Sequence, residues 1–198
     1  MFVTFEGLDG SGKTTQLALL AERLTAEGRE VTTTREPGGT ELGEAIRDLV
    51  LHGGNVAPWA EAALYAASRA QHVEEVIRPA LARGATVLCD RYLDSSVAYQ
   101  GVARGLGLDR VLELNLSAVG GLLPDVTFLL LVEPGAAETR LTGARDRLER
   151  EDGDFHARAA AGYRELAARF PERIVVVDGS LAVDEVARTI ADRLAAVR

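Results

Sequence analysis

The chain has 198 residues, of which 47% are hydrophobic and 26% are charged, and its formal net charge is -8. This profile is typical of one folded globular domain and excludes a fibrous or a disordered protein. The acidic surplus disfavours nucleic acid as a partner because its phosphates would be repelled. The single cysteine excludes an internal disulfide.

Short apolar runs alternate with helical patterns along the chain. The sequence predicts strands over residues 2–6, 30–34, 85–89, 126–132 and 173–177. It predicts helices over residues 14–26, 41–51, 61–81 and 183–197, and a charged helical segment over 136–169 with a break at Gly153. This alternation predicts a three-layer α/β fold, in which a parallel sheet lies between helices.

Apolar runs such as residues 128–132 are far shorter than the roughly 20 residues of a membrane helix. We therefore expect no membrane partner, no signal peptide ahead of Met1 and a cytoplasmic protein. The histidines, His52, His72 and His156, have no ligand-like spacing with one another or with Cys89, so no zinc site is expected. Cys89 is expected to be a small core residue.

Residues 7–14 read Gly-Leu-Asp-Gly-Ser-Gly-Lys-Thr and match the pattern G-x-x-x-x-G-K-[ST] between a predicted strand and a predicted helix. Such a loop folds around an anion with its N–H groups inward, and the helix N-terminus adds a positive dipole end. Lys13 would reach the β- and γ-phosphates, and the Thr14 hydroxyl would bind Mg²⁺. Lys13 is the only lysine in the chain, and an arginine would not fit so compact a phosphate nest.

A carboxylate is expected beside this loop because the metal needs a second oxygen ligand. Asp90 follows the predicted strand over residues 85–89 and could hold Mg²⁺ or its water. The adjacent Arg91 could reach a phosphate of the acceptor. Taken alone, an Asp after a strand is also a common turn residue.

The motif leaves several classes of nucleotide-binding protein to distinguish. The Asn-Lys-x-Asp motif of GTPases is impossible here because Lys13 is the sole lysine, and the Ser-Gly-Gly-Gln signature of transporter ATPases is absent. The acidic surface disfavours a nucleic-acid motor. A small-molecule kinase remains, and its transition-state cation would come from the arginines of residues 140–150, since the phosphate loop has none.

Five motifs together resemble the thymidylate kinases of bacteria along nearly the whole chain. They lie at residues 5–16 (FEGLDGSGKTTQ), 34–40 (TREPGGT), 65–72 (YAASRAQH), 90–92 (DRY) and 96–101 (SVAYQG). The resemblance implies a P-loop kinase domain spanning residues 1–198, with ATP and Mg²⁺, that phosphorylates dTMP to dTDP. It also implies a homodimer, for which apolar helices such as residues 61–81 could supply a partner face.

The resemblance also implies roles at the acceptor site. Asp9 would contact the 3′-hydroxyl, Arg91 would hold the phosphate, Tyr65 would stack on the base in place of the usual Phe, and Arg69 would donate to thymine O4. An arginine at that edge would disfavour cytosine, which presents a donor there. Further predicted acceptor residues are Ser96 at N3, Tyr99 against the 2′ position, Arg47 near the phosphate, and Glu36, Pro37 and Gln100 from the motifs.

The donor side and the lid complete the predicted site. ATP is expected to contact Gly7, Leu8, Asp9, Gly10, Ser11, Gly12, Lys13, Thr14, Thr15 and Arg140, the last near the adenine. Residues 146–149 (DRLE) resemble the family's Asp-Arg-x-Glu element in a lid over residues 140–154, which makes Arg147 the expected catalytic cation, with Arg145 as its alternative.

Two other readings stay open. The chain could phosphorylate a different small acceptor, or it could be a nucleotide-binding switch without catalysis. Tyr65 and Arg69, taken as an isolated pair, could equally be a core aromatic and an ion-pair partner.

Overall fold

The computed structural model describes residues 1–140 and 145–196. Within them, five strands form one sheet in the order β2-β3-β1-β4-β5, and every neighbouring pair is parallel. The strands are β1 (Phe2–Glu6), β2 (Val31–Arg35), β3 (Thr86–Asp90), β4 (Val126–Leu131) and β5 (Ile174–Asp178).

Helices connect successive strands. They are α1 (Lys13–Ala26), α2 (Glu41–His52), α3 (Pro58–His72), α4 (Arg78–Ala82), α5 (Leu93–Ser96), α6 (Leu108–Ala118), α7 (Pro134–Glu138), α8 (Gly153–Arg169) and α9 (Val183–Ala195). Two π-helical segments continue them, Val73–Ile77 between α3 and α4 and Val97–Ala103 after α5. No described helix has the length and apolar character needed to cross a bilayer.

The sheet separates two hydrophobic cores. On one face, α1 and α9 bury side chains such as Leu20 and Ile190 against Phe5 and Phe128 of the central strands. On the other face, Phe2, Val87 and Leu129 pack against the remaining helices. Alternate residues of β1, β3 and β4 therefore face opposite cores, and the predicted three-layer architecture is confirmed.

The strand register brings two chain segments to one edge of the sheet. Phe5 of β1 lies opposite Asp90 of β3, and the glycine-rich loop begins two residues later. In open parallel sheets, ligands bind beyond the carboxyl ends of strands where the strand order reverses. The carboxyl ends of the neighbouring strands β1 and β3 form such a point.

The structure differs from the predicted elements in two places. Residues 93–103 and 108–118 form helices that the sequence pattern did not single out. The expected helical segment over 136–169 is wrong for residues 139–140 and 145–152, which form turns and irregular chain. The turn at residues 147–150 forms because the Asp146 carboxylate accepts from the backbone N–H groups of Leu148 (2.8 Å) and Glu149 (2.9 Å). The chain becomes helical again where Asp152 caps α8, so Gly153 is the first residue of that helix rather than a break within it. Residues 141–144 of the predicted lid and Val197 lie outside the described residues.

Candidate active site

The glycine-rich loop between β1 and α1 needs glycine at specific positions. Gly7, Gly10 and Gly12 have positive φ angles of 137°, 79° and 95°. A Cβ atom on Gly10 would lie 2.2 Å from the backbone oxygen of Ala137, and one on Gly7 would lie 2.4 Å from that of Leu130. Only glycine fits this backbone, and the loop opens directly onto the N-terminus of α1.

Lys13 lies inside the loop and is only 6% exposed. Its ammonium group donates to the backbone oxygen of Leu8 at 2.8 Å. Burial, followed by the nearby positive charge of Arg91, lowers the pKa of Lys13. An anion bound in the loop would relieve both effects because it would pair with the ammonium.

The side chains of Thr14 and Asp90 meet at the carboxyl ends of β1 and β3. The Thr14 hydroxyl donates to the Asp90 carboxylate at 2.6 Å, although 76 residues separate them in the chain. A hydroxyl and a carboxylate at this distance offer the hard oxygen ligands that Mg²⁺ prefers. These two residues therefore fit the predicted metal ion.

A cavity of about 970 Å³ extends from this edge. It is lined by residues 9–15, which include most of the phosphate loop, by Asp90, Arg91 and Arg140, and by Gly179, Leu181, Val183 and Val186 on the side of α9. Arg140 donates to the backbone oxygen of Gly179 at 2.9 Å, and Thr15 also lines the cavity. Its volume is in the range of nucleotide sites.

Arg91 stands at the centre of the site with φ +70°, an unusual angle for a residue other than glycine. Its guanidinium pairs with Asp9 and donates to the backbone oxygen of Gly7 at 3.0 Å. It also lies 5.4 Å from the ring centroid of Tyr99. The phosphate loop and the DRY segment are thus joined by one side chain.

The Asp9 carboxylate is held ionised. Burial alone would raise its pKa, but the opposing positive charges of Arg91 and then Lys13 lower it to about 2. The Tyr99 hydroxyl lies 3.4 Å from Asp9, and burial raises the pKa of that tyrosine, so it stays a neutral donor.

A second, smaller cavity of about 80 Å³ adjoins the first and shares Asp9, Glu36, Arg47 and Arg91 with it. The other lining residues are Pro37, Leu51, Tyr65, Ser95, Ser96, Tyr99, Gln100, Asp146 and Leu148. The structure therefore brings nine of the ten predicted acceptor residues to this cavity. We call it the acceptor cavity.

Arg69, the tenth predicted acceptor residue, is 2% exposed and does not line the cavity. It donates to the Glu36 carboxylate (2.6 Å), the Ser96 hydroxyl (3.0 Å), the Asn115 side chain and the backbone oxygen of Tyr92 (3.0 Å). These contacts use four of the five guanidinium N–H groups. At most one N–H group of Arg69 is therefore left to contact a nucleobase. The expected role of Arg69 as a donor to thymine O4 stays a prediction.

Arg147, the expected catalytic cation, contacts residues outside the phosphate loop. Its guanidinium donates to Glu61 at 2.5 Å and to the backbone oxygen of Val50 at 2.8 Å, and its side chain is 13% exposed. These contacts occupy its guanidinium in this conformation, and its expected role as the catalytic cation also stays a prediction.

Three residues that the sequence did not single out hold Arg91 in place. Ser95 and Tyr163 accept from its guanidinium at 3.1 and 3.2 Å. Both hydroxyls in turn donate to the buried carboxylate of Glu6, at 2.6 and 2.9 Å. Glu6 lies within the motif at residues 5–16 and Ser95 directly precedes the motif at residues 96–101, which was a usable signal, whereas Tyr163 lies in α8 and had none.

A parallel sheet with a glycine loop after its central strand, a buried lysine in that loop and a carboxylate after the adjacent strand define a P-loop nucleotide-binding protein. The acceptor cavity beside the loop supplies the second substrate site that a nucleotide kinase needs. The comparisons with known proteins agree. The family model for thymidylate kinase matches residues 5–190.

Several relatives cover nearly the whole chain. The thymidylate kinase of Leifsonia xyli is 57% identical, covering 98% of this chain and 94% of the relative. That of Clavibacter michiganensis is 55% identical, covering 100% of this chain and 95% of the relative. The crystal structure of thymidylate kinase from Ehrlichia chaffeensis superimposes with a TM-score of 0.83 at 34% identity, covering 98% of this chain and 97% of that one.

The chain therefore belongs to the thymidylate kinase family. The resemblance, the fold class and the assignment as a nucleotide kinase predicted from the sequence are confirmed.

Proposed function

We propose that the chain transfers the γ-phosphoryl group of ATP to dTMP, producing ADP and dTDP, with residues 140–154 as the lid of a single kinase domain. Membership of the family supports this activity. The observation that carries the site assignment is Arg91, which contacts the phosphate loop at Gly7 and Asp9 and lines both the large cavity and the acceptor cavity. A cation there lies between a donor and an acceptor phosphate.

On the donor side, the loop of Gly7 to Thr15 cradles the triphosphate with its N–H groups and the N-terminus of α1. Lys13 leaves its contact with Leu8 to reach the β- and γ-phosphates. Arg140, held near Gly179 on the far wall of the large cavity, lies toward the adenine.

Thr14 and Asp90 would hold Mg²⁺, for which their oxygen atoms are suited. When bound, the ion neutralises charge on the phosphate oxygens. Without it, the Thr14 hydroxyl remains oriented by the Asp90 carboxylate.

On the acceptor side, Arg91 binds the phosphate of dTMP and Asp9 accepts from its 3′-hydroxyl. Tyr65, which lines the acceptor cavity, stacks on the thymine, while Ser96 meets N3 and Tyr99 blocks a 2′-hydroxyl. Arg69 lies behind the cavity and acts there through Ser96, with one N–H left for the base.

A phosphate oxygen of dTMP attacks the γ-phosphorus, and the bond from that phosphorus to the β–γ bridging oxygen breaks, leaving the electron pair on ADP. No strong general base is needed because the attacking phosphate is already anionic. Lys13 and Arg91 disperse the charge of the transferred group. For Arg147 to join them, its guanidinium has to leave Glu61.

The test is ADP production by the purified protein with Mg·ATP and one acceptor at a time from dTMP, dUMP, dCMP, UMP, AMP and thymidine. We expect a strong preference for dTMP. Preference for another acceptor would overturn the acceptor assignment, and ATP binding without turnover on any acceptor would indicate a nucleotide-binding switch.

Lys13→Ala is expected to lower kcat by at least about 100-fold, because one preorganised charge at the transferred phosphoryl group is lost. Lys13→Arg keeps the charge but is expected to stay impaired, since the planar guanidinium does not fit the loop. Thermal unfolding of both variants checks that they are folded. Near-normal turnover of Lys13→Ala would contradict the assignment.

We also propose that the chain forms a homodimer through α2 and α3. Leu42 and Leu49, seven residues apart on one face of α2, are 48% and 56% exposed, and Trp59 at the start of α3 is 40% exposed. Burial of such side chains is what a dimer interface provides. Light scattering should give twice the chain mass, and Leu49→Glu should give the monomer; a monomeric parent protein would overturn the proposal.

A further inference from the structure

Glu61 is a fully buried carboxylate on α3 to which the proposed mechanism gives no contact with either substrate. It accepts from the side-chain amide of Gln100 at 2.8 Å, from the guanidinium of Arg104 at 3.3 Å and from that of Arg147 at 2.5 Å. Arg104 is shared with Glu151 at 2.7 Å. Two carboxylates and two guanidinium groups thus balance in one cluster, and removing Glu61 would leave an excess of positive charge there.

Arg147 fastens one side of the acceptor cavity to this cluster. Its backbone N–H donates to Leu51 at 3.0 Å and its guanidinium bridges Val50 and Glu61. The residues on either side of it, Asp146 and Leu148, line the acceptor cavity. We call residues 146–149 the acceptor wall.

The acceptor wall stands close to the other side of the cavity. The cavity measures about 80 Å³, whereas sites for small molecules usually enclose roughly 300–1,000 Å³. The position of the wall therefore sets how much room a nucleoside has, and Glu61 is the buried charge that holds the wall where it is.

Glu61 also contacts Gln100, a second residue that connects it to the acceptor cavity. Because a carboxylate can only accept hydrogen bonds, Glu61 binds the NH₂ group of the Gln100 amide. The carbonyl oxygen of that amide then points away from Glu61. Gln100 lines the acceptor cavity. Glu61 therefore fixes which end of this amide a bound nucleobase can meet.

We propose that Glu61 is a positioning residue of the acceptor site, which holds the acceptor wall through Arg147 and orients Gln100. It touches neither substrate, so its effect falls on acceptor binding rather than on the transfer step. The proposal rests on the proposed function, since it concerns the dTMP site.

The test is Glu61→Gln, which keeps the size of the side chain and one acceptor oxygen but removes the charge. We expect the KM and the Kd for dTMP to rise about 10-fold, with the KM for ATP and kcat within about twofold of the parent protein. Arg147→Gln should also raise the KM for dTMP, and the double variant should raise it no further than Glu61→Gln does, because the contact between Glu61 and Arg147 is already weakened in that variant.

Glu74→Gln is the matched control, since Glu74 lies in an exposed ion pair with Arg78. It should change none of these constants. Should Glu61→Gln fail to fold, Arg147→Lys keeps the charge but loses the planar fork, and it should raise the Kd for dTMP. The Kd is the readout for this variant because Arg147 is also the predicted catalytic cation.

Two results would overturn the proposal: dTMP constants of Glu61→Gln within twofold of the parent protein, or effects of the Glu61 and Arg147 variants on the KM for dTMP that multiply in the double variant. Failure of the proposed function is distinguishable, because the parent protein would then not phosphorylate dTMP at all.

Discussion

Glu6 shows at the scale of one residue how a buried carboxylate can organise a binding arginine. It accepts from the backbone N–H groups of Tyr92 and Ser95 and from the hydroxyls of Ser95 and Tyr163. Because both hydroxyls direct their protons to Glu6, their lone pairs are free to accept from Arg91. The position of the proposed phosphate ligand thus depends on a residue that does not contact it.

The same burial predicts a pH dependence of stability. Burial first, and then the negative charge of Asp94, raise the pKa of Glu6 from 4.5 to about 7. Between those values the folded protein keeps a proton that the unfolded chain has released, so the free energy of unfolding falls as the pH rises. The loss due to this group between pH 5 and 7 is about 2 kcal/mol.

Urea unfolding at pH 5, 6 and 7 checks this, with Glu6→Gln as the comparison. The free energy of unfolding of the parent protein should fall with pH relative to that of the variant, which carries no titrating group at this position. Parallel pH profiles for the two proteins would rule out a raised pKa at Glu6.

At the scale of the element, α8 depends on a local cap that lies directly beside the acceptor wall. The Asp152 carboxylate accepts from the backbone N–H of Phe155 at 2.7 Å, and Phe155 is buried beside Tyr99, with ring centroids 6.0 Å apart. The start of α8 therefore fixes an aromatic contact behind the acceptor cavity.

Asp152→Ala should lower the free energy of unfolding by about 1 kcal/mol, the usual cost of losing an N-cap side chain. Asp152→Asn keeps an acceptor oxygen and should recover most of the loss. Urea unfolding measures both variants, and equal stability of Asp152→Ala and the parent protein would show that the cap contributes nothing.

At the scale of the whole molecule, a buried ion pair joins the edge strand β5 to the centre of the fold. Arg173, just before β5, donates to both carboxylate oxygens of Asp94 in α5, at 2.6 and 2.8 Å, and to the Thr127 hydroxyl of β4 at 2.9 Å. Thr127 in turn contacts Thr4 of β1 at 2.8 Å. One network of polar contacts therefore holds together segments that are far apart in the sequence.

Arg173→Met should lower the free energy of unfolding by about 3 kcal/mol, because it leaves the Asp94 carboxylate buried without its partner. Adding Asp94→Asn should recover part of this loss, since the unpaired charge is then removed. Urea unfolding of the two variants and the parent protein decides, and strictly additive losses would contradict the pairing.

The sequence by itself determined the α/β class, the phosphate loop, the metal-binding pair Thr14 and Asp90 as candidates, and the family. These follow from patterns that can be read along the chain, since hydrophobic periodicity and glycine spacing involve residues close in sequence, and the single lysine lies within the glycine motif. The tertiary structure decided what depends on distant segments meeting. It placed Arg69 behind the acceptor cavity, tied Arg147 to Glu61 86 residues away, and set Glu6, Ser95 and Tyr163 around Arg91. Such contacts arise from packing and from the need to satisfy buried charges, and neither leaves a periodic signal in the chain.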